Sequence, residues 1–151
     1  MNMFKFKLDG LLKVREFNEK KIKIELGKIL KEITELENKI EFANKSIDET
    51  YDAQEVAMKD ISSGKMIQFF PFFIQGKKED IKNKKTLLWA LNKKRNDKIA
   101  ELATARGQVK VMENFKEREK KEWLKEKNKK EMEAVEEILM MRTNGGSGIN
   151  E

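Results

Sequence analysis

The chain contains no cysteine and no histidine, one proline and one tyrosine. Without cysteine there is no disulfide framework, no thiolate nucleophile and no thiolate metal ligand, which fits a reducing compartment. Without histidine there is no side chain titrating near neutral pH for general acid–base work, and no Ser–His or Cys–His pair. Zinc ligation by His or Cys is excluded as well. Gly64-Lys65 and Gly76-Lys77 are not phosphate loops: Lys59 and Pro71 stand where an earlier Gly is required, and Met66 and Lys78 where Ser or Thr is required. No run of about 18 apolar residues is present, so no membrane-spanning helix is expected. Residues 1–13 are too charged for the apolar region of a signal peptide. The expectation is a cytoplasmic protein that is not an enzyme and holds no cofactor or metal.

What is present is charge. Charged residues make up 40% of the chain and hydrophobic ones 38%, so a thick core is not expected. Lys plus Arg number 33 and Asp plus Glu 27, a net charge of +6 with a sequence pI near 9.3. A basic balance permits nucleic acid, anionic lipid or an acidic protein face as partner. Here both signs alternate, as on a solvated helix surface, which weighs against a dedicated nucleic-acid site.

The apolar residues follow a three-then-four spacing. In the first half it runs through Leu12, Arg15, Glu19, Ile22, Leu26, Ile29, Ile33, Leu36, Ile40, Ala43, Ile47, Thr50, Gln54, Ala57 and Ile61. It is apolar at every step from Ile22 to Ile47, with Arg15 and Glu19 as interruptions. A seam sustained over several heptads predicts coiled coil. Glu16–Lys20, Glu35–Lys39 and Glu41–Lys45 stand four apart in the favourable order.

Ser62-Ser63-Gly64 breaks the pattern, with Gly64 read as a helix C-cap. Proline suits a first helical turn, so the second helix is expected to open at Pro71. Its frame runs through Ile81, Lys84, Leu88, Leu91, Arg95, Lys98, Leu102, Ala105, Val109, Met112, Lys116, Glu119 and Trp123, widened by Leu87, Ile99 and Phe115. The apolar pattern returns at Ala134, Val135, Ile138 and Leu139. Two long amphipathic helices with a short connection must run antiparallel. The expected fold is all-α, a two-helix coiled-coil hairpin over residues 1–142. It comprises helix 4–62, a turn with a short helical stretch at 63–70, helix 71–142, and a flexible tail at 143–151. A parallel homodimer of unbroken helices is the alternative, and the central break argues against it.

Two stretches stand out. Phe69, Phe70, Phe72 and Phe73 crowd five positions around Pro71. They either plug the end of the seam or leave ring faces open to a partner, together with Tyr51 on the other arm. Consecutive aromatics point in different directions on a helix, so two helices cannot bury all four. The second stretch, Val111 to Lys130, is densely charged around Trp123. It is either a solvated face, with Trp123 closing the seam near Phe4 and Leu8, or a charged end that enters a ring or cavity.

The opening run from Phe4 to Glu16 resembles the start of the flagellar FliJ family of type III export proteins. The run from Val109 to Arg118 resembles that family's second-helix signature, and length, central break and aromatic block agree. The resemblance implies a coiled coil similar to the gamma-subunit stalk of rotary ATPases. It implies that the chain, a monomer when isolated, binds and stimulates a hexameric flagellar export ATPase. It further implies contact with the cytoplasmic domain of the membrane export-gate protein, escort of export chaperones, and peripheral association with the inner-membrane export apparatus. Carried over by position, the ATPase-ring residues are Leu8, Leu11, Leu12, Arg15, Glu16, Lys116, Arg118 and Trp123. Those for the gate are Tyr51, Phe69, Phe70, Phe73, Lys77, Asp80 and Lys84; Lys77, Asp80 and Lys84 depart from the small or apolar residues of the family. The equivalent stalk protein of a virulence type III system, a basic nucleic-acid-binding coiled coil and a passive structural rod remain as alternatives.

Overall fold

Two helices carry the chain: α1, Asp9–Met58, and α2, Gly64–Ser147. The computed structural model describes residues 3–59 and 64–147. The helices pack against each other as an all-α helical hairpin, with no strand among the described residues. The seam follows the three-four spacing residue by residue. Every described frame position from Leu12 to Ala57, and from Ile81 to Trp123, is buried or half-buried. Ile61, Ser62 and Ser63 lie outside the described residues.

Burial is shallow because each helix has one partner. The buried residues are apolar throughout, and Ala43, at 2% exposure, is the most enclosed of them. Burying an isoleucine or leucine stabilises by roughly 1.5–3 kcal/mol, and this seam is the main place where the fold gains it. Arg15 and Glu19 do not break the seam. Arg15 Nη1 donates to the Gln108 carbonyl at 3.2 Å, and Arg106 Nε donates to Glu19 Oε1 at 3.3 Å.

The chain forms two compact units, Met1–Glu19 with Ala105–Glu151 (unit 1), and Lys20–Thr104 (unit 2). In unit 1, Phe6, Leu12, Val109 and Met112 form the core, with Phe4 and Phe115 against it. In unit 2 the core is Leu36, Ile40, Ala43, Ile47, Ile74 and Ile81, with Leu88 and Leu91 alongside. Within each unit the partners descend in number on α2 as they rise on α1, which is antiparallel pairing. Phe4 meets Trp123 and Glu19 meets Arg106 in unit 1; Glu25 meets Lys98 and Tyr51 meets Lys78 in unit 2.

The helix limits differ from those expected. α1 starts at Asp9, not at residue 4. Phe4-Lys5-Phe6-Lys7 alternates with period two, which suits an extended segment. Phe4 is half-buried and Phe6 buried, while Lys5 and Lys7 are exposed. The Asp9 amide then donates to the Phe6 carbonyl at 3.2 Å, and Asp9 places its carboxylate in the first helical turn, where the helix dipole favours it. α1 ends at Met58, and the Lys59 amide donates back to the Val56 carbonyl.

Gly64 opens α2 instead of capping α1, and Pro71 lies inside α2. The seam explains this. The frame extends backward from Ile81 through Lys77, Ile74, Phe70 and Ile67, all buried or half-buried, while Pro71 is exposed. Packing on both sides of the proline outweighs its one missing amide hydrogen bond. Leu87 and Ile99 do not widen the seam; they are 54% and 48% exposed. At the other end α2 runs on to Ser147, so residues 143–147 are helical and not a loose tail. Every described side chain from 128 to 145 is exposed, including Val135, Ile138 and Leu139. The packing offers no reason for the helix to continue through Gly145.

The ion pairs expected at Glu16–Lys20, Glu35–Lys39 and Glu41–Lys45 do not close among the described residues. The four-residue pairs that form are Asp9–Lys13, Asp80–Lys84 and Glu117–Lys121.

Candidate functional site

The opening turns of α2 set the phenylalanine cluster in unit 2. The seam frame draws Phe70 inward and leaves Phe72 facing away. Phe70 and Phe73 are half-buried, Phe69 is 60% exposed and Phe72 is 81% exposed. The Phe69 ring centroid stands 6.5 Å from Phe70 and 6.0 Å from Phe73. With Ser46, Glu49, Thr50 and Ala53 of α1 these three rings line a shallow cavity of about 220 Å³. Lys77 Nζ lies 5.6 Å from the Phe73 centroid, a cation over a ring face. One turn on, Asp80 pairs with Lys84. The Lys84 hydrogen bond holds the Asp80 carboxyl below its ordinary range against the opposing effect of burial, and the charges of Lys84 and Lys77 add to it.

So the structure gathers Phe69, Phe70, Phe73 and Lys77, with Asp80 and Lys84 paired beyond them. It does not gather Tyr51. That ring faces Lys78, whose Nζ is 5.9 Å from its centroid. Helical spacing puts Tyr51 on the opposite flank of α1 from Ser46, Glu49 and Ala53. Phe72, off the seam frame, is the most exposed ring of the cluster.

In unit 1 the site forms where the segment before α1 meets α2. Phe4 and Trp123 stand 6.0 Å apart, and Phe6 and Phe115 5.8 Å apart. Lys127 Nζ lies 5.4 Å from the Trp123 centroid. Asp9 bridges Lys13 at 3.3 Å and Lys116 at 3.4 Å. The Lys13 hydrogen bond is the chief reason its carboxyl sits below the ordinary range; burial opposes this and Lys116 contributes.

Of the residues singled out for the ATPase ring, Leu8 and Leu11 are 40% and 43% exposed, and Glu16 and Arg118 are exposed. Trp123 is half-buried, and Arg15 and Lys116 hold bonds across the seam. Leu12, at 4% exposure, lies in the core of unit 1 beside Val109 and Met112. Val14 and Phe17, both off the frame, face solvent on the same helix at 64% and 70% exposure.

The Asp9 and Asp80 carboxyls are held ionised by lysine partners, which suits ion pairing and not proton donation. Among the described residues no cluster of acidic side chains is arranged to hold a metal ion. No helix of the described residues is long and apolar enough to cross a membrane.

Comparison with curated proteins and with solved structures finds no significant match. The family model described as "Flagellar FliJ protein" matches residues 4–147, nearly the whole chain. The chain therefore belongs to the FliJ family, and with it to the components of flagellar type III protein export.

Proposed function

We propose that this chain binds and stimulates the hexameric flagellar export ATPase, links it to the cytoplasmic domain of the membrane export gate, and escorts export chaperones. The family match over residues 4–147 carries the reading. The surfaces support a division of labour. In unit 1, Leu8, Leu11, Glu16 and Arg118 are open to solvent, and these meet the ATPase ring. In unit 2, the Phe69, Phe70 and Phe73 rings with Lys77 meet the gate. Catalysis belongs to the ATPase, since no cysteine or histidine is present here.

The test mixes the protein with its cognate export ATPase and follows hydrolysis together with hexamer formation by gel filtration. Stimulation and co-elution are expected. No stimulation and no co-elution would sink the reading.

A further inference from the structure

One face of α2 in unit 2 takes no part in the seam or in the phenylalanine cluster. Lys78, Lys82, Lys85, Trp89 and Lys93 follow one another at steps of three and four, so they share one side of the helix. Trp89 is 68% exposed, and Lys93 Nζ lies 5.7 Å from its centroid. Lys78 covers the Tyr51 ring in the same way, and Tyr51 is 45% exposed. Among the described residues none of these four lysines forms an ion pair, unlike Lys84 and Lys98, which are held by carboxylates.

We propose that this stripe docks on an anionic phospholipid surface. Four lysines complement lipid phosphates, and a solvent-facing indole between them matches the boundary of headgroup and acyl chain, where tryptophan concentrates. Lysines and an indole on one helix face meet the headgroups together, the ammonium groups at the phosphates and the indole at the boundary. The lysine stems add apolar cover around the indole while their ammonium groups reach outward.

A long polyanion fits less well. The stripe has no arginine. Helical spacing puts Glu37, Glu41 and Asp48 on the α1 flank that Tyr51 shares, which shortens the reach of the positive field. Close contact at a planar surface, with the indole inserted, tolerates such neighbours better than steering at a distance does. An acidic helix would need an apolar seam to pack on, and Trp89 is the single apolar side chain of this stripe.

The proposal is independent of the ATPase and gate assignments, and its test uses neither partner. The full chain carrying Trp123→Phe leaves Trp89 as the single indole. It is mixed with vesicles of phosphatidylglycerol and phosphatidylcholine, and separately with phosphatidylcholine alone. Co-sedimentation with the anionic vesicles, a blue shift of Trp89 emission and quenching by brominated acyl chains are expected, weakening as salt rises. Each lysine changed to glutamine should weaken binding about fivefold, with helicity by circular dichroism unchanged because all four are exposed. Polyglutamate and single-stranded DNA are run beside the vesicles. Absence of anionic-vesicle binding, a Trp89 that stays water-accessible on them, or tighter capture of either soluble polyanion would overturn the proposal.

Discussion

Lys98 on α2 places its Nζ 2.7 Å from Glu25 Oε2 on α1 and 2.9 Å from Glu101 Oε2 one turn away. After Leu88 and Leu91 the frame of α2 offers Arg95 and Lys98, and this partly exposed bridge links the two helices across that polar stretch. The hydrogen bond from Lys98 holds the Glu25 carboxyl below its ordinary value of 4.5. The same pair raises Lys98 above its ordinary value of 10.5, with Glu101 contributing.

The pH dependence follows in sign. A carboxyl depressed on folding contributes stability that is present above its unfolded value and lost as pH falls through its folded value. The Glu25 contribution is therefore complete at neutral pH and fades below about 4.5, with those of Asp9 and Asp80 fading below about 3.8. For Lys98 the contribution is present below 10.5 and lost as pH rises beyond it. Urea titrations of the natural chain and Glu25→Gln should converge in acid and separate at neutral pH. A constant separation across the acid range would contradict the assignment.

Core and surface substitutions should separate cleanly in unit 2. Ile40 is 8% exposed, and Ile40→Ala should cost about 2–3 kcal/mol through lost burial and a cavity. Phe42, two residues on, is 71% exposed, and Phe42→Ser should stay within about 0.5 kcal/mol. Thermal melts followed by circular dichroism compare the two.

Backbone changes should stabilise the helices where space allows. A Cβ added at Gly27 or at Gly107 meets nothing within 4 Å. Gly27→Ala and Gly107→Ala should each add roughly 0.5–1 kcal/mol. Pro71→Ala restores the hydrogen bond to the Ile67 carbonyl and should stabilise the start of α2 by up to about 3 kcal/mol. Slower amide exchange over residues 68–75 is the readout; unchanged exchange there would mean that α2 is already broken at the proline.

The proposed division of surfaces predicts separable defects. Changing Phe69 and Phe73 to Ser should reduce gate binding at least tenfold, a loss of about 1.4 kcal/mol, while ATPase stimulation persists. Leu11→Asp with Arg118→Glu should do the reverse. Pull-down with the gate domain and hydrolysis assays read the two effects, and equal loss of both in either variant would refute the division.

The seam was legible along the chain because helical period is a local property. Residues spaced three and four apart meet whatever partner arrives, so Leu12 to Ala57 and Ile81 to Trp123 turned inward as their spacing dictates. The missing side chains, cysteine and histidine, are equally a matter of sequence and remove catalytic options by themselves. The tertiary structure alone decided what depends on the second helix. It set which polar frame residues bond across the seam, as Arg15 does with Gln108 and Lys98 with Glu25. It carried α2 straight through Pro71, because packing at Ile67, Phe70 and Ile74 outweighs one lost hydrogen bond. It laid Phe4 and Phe6, ahead of α1, against Trp123 and Phe115. It also sent Tyr51 to Lys78 and away from the phenylalanines. Each outcome turns on the register between two helices, a relation between distant residues that local spacing does not contain.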